Sequence, residues 1–138
     1  MQLLEHKNSQ VDAPCSATGA IRRNMEIVRM WNPNMIRGLS KLQKALIVSG
    51  FDCLKSGGTL VYSTCTLEPE ENEEVVDHLL KVRDNAELEK IKVDNLKSRK
   101  GLTEWNGKKF ENTLKRTIRI YPQDNDTEGF FVAKVVKE

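Results

Sequence analysis

Two cysteines stand at matching places in the chain, each directly after an apolar stretch that is typical of a β-strand. Cys15 lies in VDAPCSATGAIRRN, residues 11–24, and Cys65 lies in LVYSTCTLEPEENEEVV, residues 60–76. Asp12 accompanies the first of them. A deprotonated cysteine is both a nucleophile and a metal ligand, so the pattern indicates either covalent chemistry or metal binding.

Metal binding is the less favoured interpretation of these cysteines. The third cysteine is Cys53, the histidines are His6 and His78, and no CxxC pair occurs. A structural zinc site normally takes closely spaced ligand pairs, so no metal is expected. The odd cysteine count and wide spacing also argue against a disulfide framework.

A cysteine can also be a small buried hydrophobic residue with no chemical role. This interpretation is preferred for Cys53, which falls on the apolar stripe of a predicted helix. Cys15 and Cys65 sit in polar turns, where each alone fits either interpretation. Their occurrence as a pair favours chemistry.

The elements that must position this pair can be predicted from periodicity and turn residues. Residues 10–13 read as the end of a strand before Pro14, and a helix is predicted over residues 36–55 from its apolar period near 3.6. A buried strand follows at 59–63, and Pro69 suits the first turn of a second helix. The glutamates after Pro69 would then face the positive end of the helix dipole, which explains them better than a metal does. Further strands are predicted at 88–93, 117–121 and 130–136, with a loop over 102–112.

This order predicts an α/β fold that ends in an antiparallel hairpin. A chain of 138 residues suits one domain, here residues 1–138. Ligands of such sheets gather at the carboxyl ends of the strands. Neighbouring parallel strands lie about 4.8 Å apart, so the two thiols should face one cleft within roughly 10 Å of each other.

Composition and charge narrow the class of protein. Hydrophobic residues make up 38% and charged residues 30% of the chain. No run approaches the roughly 18 apolar residues of a membrane helix, and the start lacks a signal-peptide pattern, so we expect a cytoplasmic protein without a membrane partner. Basic stretches at 21–44 and 90–119 flank an acidic one at 65–89. Such stretches can meet nucleic-acid phosphates, although ordinary solvated surface is the simpler explanation of charge alone.

The two cysteine stretches resemble motifs IV and VI of the RsmB/Nop/Sun family of S-adenosylmethionine (AdoMet)-dependent RNA 5-methylcytosine methyltransferases. The intervening KLQKALIVSGFDCLKSGGTLVYSTCTLEPEENEEVV is similar almost throughout, and EGFFVAKVVK resembles the last strand of the family. The resemblance covers most of residues 10–82 and 116–137. It implies a Rossmann-like class I methyltransferase sheet ending in an antiparallel hairpin, with AdoMet as cofactor and rRNA or tRNA as substrate.

The resemblance also implies roles for individual residues. Cys65 would be the nucleophile, and Cys15 would assist release of the enzyme from its product. Asp12 would lie between cofactor and target base. Pro14 would contact the substrate, and Arg22 and Arg23 could hold an RNA phosphate, although a surface pair explains the two arginines equally well.

The chemistry of cytosine explains why a thiolate is needed. Carbon 5 is a poor nucleophile until a thiolate adds to carbon 6, and a free thiol is only about 3% ionised at pH 7. The site must therefore assist ionisation, and the start of the helix after Cys65 is the candidate.

The sequence departs from the family pattern before motif IV. Only eleven residues precede Asp12, and they contain no Gly-rich AdoMet loop. We therefore expect the chain to be the C-terminal part of a methyltransferase domain whose AdoMet-binding half is absent, with that half as a possible partner chain. The alternative is a non-catalytic RNA- or protein-binding remnant of such an enzyme. A thiol redox protein is disfavoured because there is no CxxC.

Overall fold

A parallel pair of strands forms the frame of the fold in the computed structural model, which describes residues 6–21 and 24–138. Strand β1 spans His6–Asp12 and strand β2 spans Leu54–Thr64. Val11 lies opposite Tyr62, and the pairing is parallel, as predicted. Both strands are longer than the sequence pattern indicated. Because they run in the same direction, their carboxyl ends meet at one edge of the sheet.

Helix α2, Pro33–Asp52, connects these strands, after a short helix α1 at Glu26–Met30. The apolar period predicted this helix over residues 36–55, so that it would begin only after Asn32 and Pro33. The structure shows instead that they start the helix: the Asn32 side chain accepts a hydrogen bond from Met35 N at 2.8 Å, and proline occupies the first turn. Cys53 ends the helix and is exposed, so the prediction that it is a core residue was wrong.

The core lies between one face of the sheet and the two main helices. Alternate residues of β2 are buried, with Leu60 and Tyr62 fully so, whereas Val61 between them is half-buried. Ile47 and Phe51 of α2 join the same apolar cluster. The burial of β2 is therefore strongest on one face, not equal on both as the apolar run suggested.

Helix α3 begins later than predicted. Pro69–Glu71 form a single 3₁₀ turn, and α3 itself spans Glu73–Val82. Glu71 and Glu73 are both fully buried. Glu73 lies in the first turn of α3, as the dipole argument predicted, but the dipole does not account for the burial of either glutamate, since each is held by specific hydrogen bonds that are described below.

The rest of the sheet is antiparallel and is built on the last strand, β8. Its order is β1-β2-β8-β7-β4, with β3 pairing with a different part of β8. The strand bounds are Ala86–Glu89 for β3, Arg99–Lys100 for β4, Ile118–Ile120 for β7 and Phe130–Lys137 for β8, and further 3₁₀ turns lie at Thr18–Ala20 and Asn112–Arg116. The predicted antiparallel ending is present as β7 and β8. Among the described residues, none of the helices has the length and apolar character that crossing a membrane requires.

A small hairpin occupies part of the segment that was predicted to be loop. Strand β5, Glu104–Trp105, pairs antiparallel with β6, Lys108–Lys109. The connecting Asn106 and Gly107 have φ of 50° and 81°. An Asn-Gly pair with two positive φ angles is the preferred two-residue hairpin turn, so the signal was present in the sequence and was missed.

Candidate active site at the paired cysteines

The ends of β1 and β2 bring Cys15 and Cys65 into direct contact. The strand pairing continues past β1 through the hydrogen bond from Ala13 N to Ser63 O at 3.3 Å. Both cysteines are half-buried, and their Sγ atoms are 3.0 Å apart. The sequence predicted a shared cleft within roughly 10 Å, and the structure brings the sulfurs to hydrogen-bonding distance.

A hydrogen bond joins these two sulfurs, and it changes the acidity of both. The hydrogen bond from the Cys65 side chain lowers the pKa of Cys15 to about 7, against an opposing effect of burial. The same hydrogen bond, together with burial, raises the pKa of Cys65. The pair therefore gives up its first proton more readily than an isolated cysteine and holds its second more tightly. Either sulfur can be the donor, so the thiolate can reside on either one.

The helix after Cys65 was expected to assist ionisation, and the structure shows a group that is closer to the sulfurs. Helix α3 begins only at Glu73, and its first turn carries acidic residues. The neighbouring thiol of Cys15, by contrast, touches the Cys65 sulfur directly. A hydrogen bond to the charged form favours ionisation, so the contact between the two sulfurs assists the first ionisation of the pair, which is the role that had been assigned to the helix.

The turn after Cys15 is made of small residues because it packs closely against the turn after Cys65. Gly19 N donates to Cys65 O at 2.9 Å, and Gly19 O accepts from Gly129 N at 2.8 Å. A Cβ atom at Gly19 would lie 2.4 Å from Gly129 O and 2.6 Å from Cys65 O, which leaves no room for a side chain. Thr18 Oγ1 accepts from Leu67 N at 3.0 Å and so joins the two turns a second time.

The carboxylate of Glu71 is a further connection between the two turns. Ser16 donates to it twice, from its backbone N at 2.8 Å and from its Oγ at 2.6 Å. Thr66 Oγ1 donates at 2.8 Å, and Gln43 Nε2 of α2 donates at 3.0 Å. Glu71 was not among the residues selected from the sequence, because Ser16 and Gln43 lie far from it along the chain and the helix dipole alone explained the glutamate run.

A buried ion pair supports the turn after Cys65 from the other side. Arg119 of β7 donates from Nε and Nη2 to the two oxygens of Glu73, both at 2.6 Å. Its Nη1 donates to Leu67 O at 2.9 Å, within the turn itself. The ion pair thus connects the antiparallel part of the sheet to the backbone that follows Cys65.

The remaining residues selected from the sequence are more exposed or lie outside the described residues. Asp12 and Pro14 are both exposed at the end of β1, beside the cysteine pair along the chain. Arg22 and Arg23 lie outside the described residues. Within residues 6–21 and 24–138, no three His, Cys, Asp or Glu side chains are arranged to hold a metal ion.

An apolar cavity of about 260 Å³ adjoins the two turns. Its lining residues are Thr18, Ile21, Ile27, Val28, Trp31 and Glu68. Trp31 is partly exposed, and its Nε1 donates to Glu68 Oε1 at 3.0 Å. An aromatic ring at the rim of an apolar cavity offers a surface on which a planar ligand could stack.

Comparison with protein families shows that most of the chain, including both cysteine turns, matches one known family. Residues 7–136 match the family described as 16S rRNA methyltransferase RsmB/F. The chain is 51% identical over 127 residues to a tRNA (cytosine(49)-C(5))-methyltransferase of Pyrococcus abyssi, covering 92% of this chain and 40% of the relative. It is 41% identical over 132 residues to ribosomal RNA small subunit methyltransferase F of Vibrio cholerae, covering 92% of this chain and 25% of that relative.

Solved structures show the same fold. A methyltransferase homolog protein from Pyrococcus horikoshii superposes with a TM-score of 0.83 at 36% identity, covering 98% of this chain and 40% of that one. NSun6 from Pyrococcus horikoshii with SFG gives a TM-score of 0.67 at 32% identity, covering 93% of this chain and 29% of that one. The chain thus spans less than half the length of these similar proteins. The similarities confirm the predicted fold class, an α/β unit that is part of a Rossmann-like methyltransferase sheet and ends in an antiparallel hairpin.

Proposed function

Because the chain belongs to the RsmB/F family of 16S rRNA methyltransferases, we propose that it supplies the catalytic turns of an RNA cytosine-C5 methyltransferase. The observation that carries the proposal is the contact of 3.0 Å between Cys15 and Cys65 at the carboxyl ends of two parallel strands. This is the edge of a Rossmann-like sheet at which ligands bind. The names of the relatives support an RNA substrate, either tRNA or rRNA.

Cys65 is the nucleophile of the proposed reaction. Its thiolate adds to carbon 6 of the target cytosine, which turns carbon 5 into an enamine-like nucleophile that can accept a methyl group. The proton on carbon 5 then leaves to a water molecule, and the bond between Cys65 and carbon 6 breaks, which returns the electron pair to the Cys65 sulfur and restores the aromatic ring. Cys15 assists this last step. The hydrogen bond between the sulfurs is compatible with these roles, because with the proton on Cys15 the thiolate is on Cys65.

In the proposed site, Asp12 lies between the cofactor and the target base and can contact both. AdoMet supplies the methyl group when bound, and it carries positive charge on its sulfonium and amino groups. An exposed carboxylate at the carboxyl end of β1 suits such a cationic molecule and can also hydrogen-bond the nitrogen edge of the cytosine. The similar structure of NSun6 with SFG, an AdoMet analogue, supports the same cofactor.

The remainder of the AdoMet site is supplied by a further segment, either of the same polypeptide or of a separate chain. Among the described residues, β1 pairs only with β2 and has an open outer edge, and an open edge is a place where another strand can pair. Pro14 and the arginines Arg22 and Arg23 then border the RNA. The target base must leave its stack to reach the cysteines, which unpaired RNA loops permit most readily.

The proposal is tested by methyl transfer from labelled AdoMet to RNA, using the chain together with an AdoMet-binding segment of the family. Cys65→Ala should reduce the formation of 5-methylcytosine below detection, because the sulfur that bonds to carbon 6 is then absent. Cys53→Ala is the matched control and should leave the rate unchanged, since Cys53 is exposed at the end of α2. Cys15→Ala should accumulate a protein–RNA adduct that resists denaturant.

Two results would contradict the proposal. Retained methyl transfer in Cys65→Ala would remove Cys65 as nucleophile. RNA binding without any methyl transfer, unchanged by the loss of Cys65, would indicate the non-catalytic RNA-binding alternative.

A further inference from the structure

We propose that Glu71 is a positioning residue that sets the separation of the two thiols, by binding the turn of Cys15 and the turn of Cys65 to one buried carboxylate. The inference rests on the proposed function only in treating this cysteine pair as the reactive one. The Glu71 clamp is defined here as Glu71 with its donors Ser16, Gln43 and Thr66.

The clamp joins the two residues that directly follow the cysteines. Ser16 follows Cys15 and Thr66 follows Cys65, and both hydroxyls donate to the same oxygen, Glu71 Oε2, at 2.6 and 2.8 Å. Two donors that converge on one atom cannot separate without losing a hydrogen bond. The positions of the Cys15 and Cys65 sulfurs relative to each other are therefore fixed.

The other carboxylate oxygen fixes the backbone that carries Cys15. Glu71 Oε1 accepts from Ser16 N and from Gln43 Nε2, and the same Gln43 nitrogen also donates to Pro14 O at 2.7 Å. The peptide groups on both sides of Cys15 are thus anchored. Gln43 is fully buried in α2, so this anchor is attached to the longest helix of the fold.

The clamp is itself held rigidly. Glu71 is fully buried, and the Tyr62 hydroxyl of β2 donates to its backbone oxygen at 2.7 Å. The donors to its carboxylate are amides and hydroxyls, all of them uncharged. Burying a carboxylate raises the free energy of the folded state unless the carboxylate is well hydrogen-bonded. Four hydrogen bonds to the Glu71 side chain offset this cost and fix the positions of the donors.

The thiol pair provides a direct readout of this geometry. The low pKa of Cys15 depends most on its hydrogen bond with Cys65, and the charge of Glu71 acts weakly in the opposite direction. Loss of the clamp should separate the sulfurs and raise the thiol pKa. Loss of the charge alone should lower it. The direction of the change therefore distinguishes a positioning role from an electrostatic one.

The experiment measures the rate of alkylation by iodoacetamide against pH, in the 138-residue chain carrying Cys53→Ser so that only the pair reacts. The unaltered pair should give a midpoint near pH 7, as the pKa of Cys15 indicates. Glu71→Ala should move the midpoint upward by at least one pH unit, toward the value of about 8.5 of a free cysteine. The full profile is needed because a more basic thiolate is intrinsically more reactive, which would mask part of the change at any single pH.

Two further variants complete the design. Glu71→Gln keeps a side chain that the Ser16 and Thr66 hydroxyls can still bind, so it should stay within a few tenths of a pH unit of the unaltered pair. Glu74→Gln is the matched control, because it removes the same charge near the same helix but contacts Lys44 and Lys108 instead of the cysteine turns. Its midpoint should not change.

A midpoint that stays near pH 7 in Glu71→Ala, or that falls, would overturn the proposal. If circular dichroism shows that Glu71→Ala does not fold, Ser16→Ala decides the question. It removes one hydroxyl donor and keeps the backbone donor, so an upward shift supports the clamp and an unchanged midpoint refutes it. The assay uses neither RNA nor AdoMet, so failure of methyl transfer would contradict the proposed function without changing this result.

Discussion

Breaking the ion pair between Arg119 and Glu73 should destabilise the protein more than any other single charge removal among the described residues. Arg119 is 2% exposed and Glu73 is fully buried. Two parallel hydrogen bonds of 2.6 Å join them, and Leu102 N donates to Glu73 Oε2 as well. Arg119→Met would leave the Glu73 carboxylate buried with a single remaining neutral donor.

The magnitude follows from the cost of leaving one buried charge without its partner. Removing one member of a buried pair typically costs about 3–5 kcal/mol, because the other charge stays desolvated. Arg119→Met should therefore lower the free energy of unfolding by about that amount. For a chain of this size, roughly 2–4 °C per kcal/mol then gives a fall in Tm of about 6–20 °C.

Urea unfolding, followed by circular dichroism, measures this change. Glu73→Gln should give a loss similar to that of Arg119→Met, whereas the double variant Arg119→Met/Glu73→Leu should lose less than either alone, because no charge is then buried unpaired. Arg83→Met is the control: Arg83 makes a similar two-fold contact with Asp52, at 2.8 Å, but at the exposed surface, and its removal should have a much smaller effect. A loss below about 1 kcal/mol for Arg119→Met, as for a solvated pair, would refute the reasoning.

Two further predictions concern the turn after Cys15 and the acid sensitivity of the fold. Ala17 has a φ of 60°, which disfavours any side chain, so Ala17→Gly should raise the free energy of unfolding by up to about 1 kcal/mol; an unchanged or lower Tm would contradict this. Burial raises the pKa of Glu74, but hydrogen bonds from Lys108 and Lys44 outweigh it and hold that pKa below its ordinary value. The stability that Glu74 contributes is thus present above the unfolded pKa of about 4.3 and is lost as the pH falls through the folded pKa. The stability difference between the unaltered chain and Glu74→Gln should accordingly shrink between pH 6 and pH 3 in urea titrations, and a constant difference would count against it.

The pairing of the cysteines could be predicted because it depends on local patterns. Each cysteine follows an apolar stretch and precedes a turn, and parallel strands place their carboxyl ends at one edge. The contact distance could not be predicted in this way. It depends on Glu71, whose donors include Ser16 at a separation of 55 residues and Gln43 at a separation of 28.

The burial of Glu71 and Glu73 could not be predicted from their residue type. Carboxylates are seldom fully buried, so a run of acids after a proline reads as a solvated helix start. The partner that makes burial of Glu73 possible is Arg119, 46 residues away along the chain. Single-sequence periodicity does not contain such a long-range pairing. The start of α2 and the β5–β6 hairpin are different cases, because Asn32-Pro33 and Asn106-Gly107 are local signals that were available and were misread.

The close contact of the thiols also explains how the cysteine pair can serve both the attack on the base and the release of the product. At rest, the hydrogen bond between the sulfurs stabilises one thiolate, so the pair is ready to attack near neutral pH. Once Cys65 is bonded to carbon 6 of the base, its sulfur carries neither proton nor charge, and Cys15 loses the hydrogen bond that lowers its pKa most. The pKa of Cys15 then rises, so Cys15 keeps the proton that it held when Cys65 attacked. When the carbon 5 proton has left to solvent, Cys15 can donate a hydrogen bond to the departing Cys65 sulfur, which stabilises the leaving thiolate and restores the resting pair. Under this assignment the distance between the sulfurs, more than the reactivity of Cys15 itself, determines how efficiently the product is released.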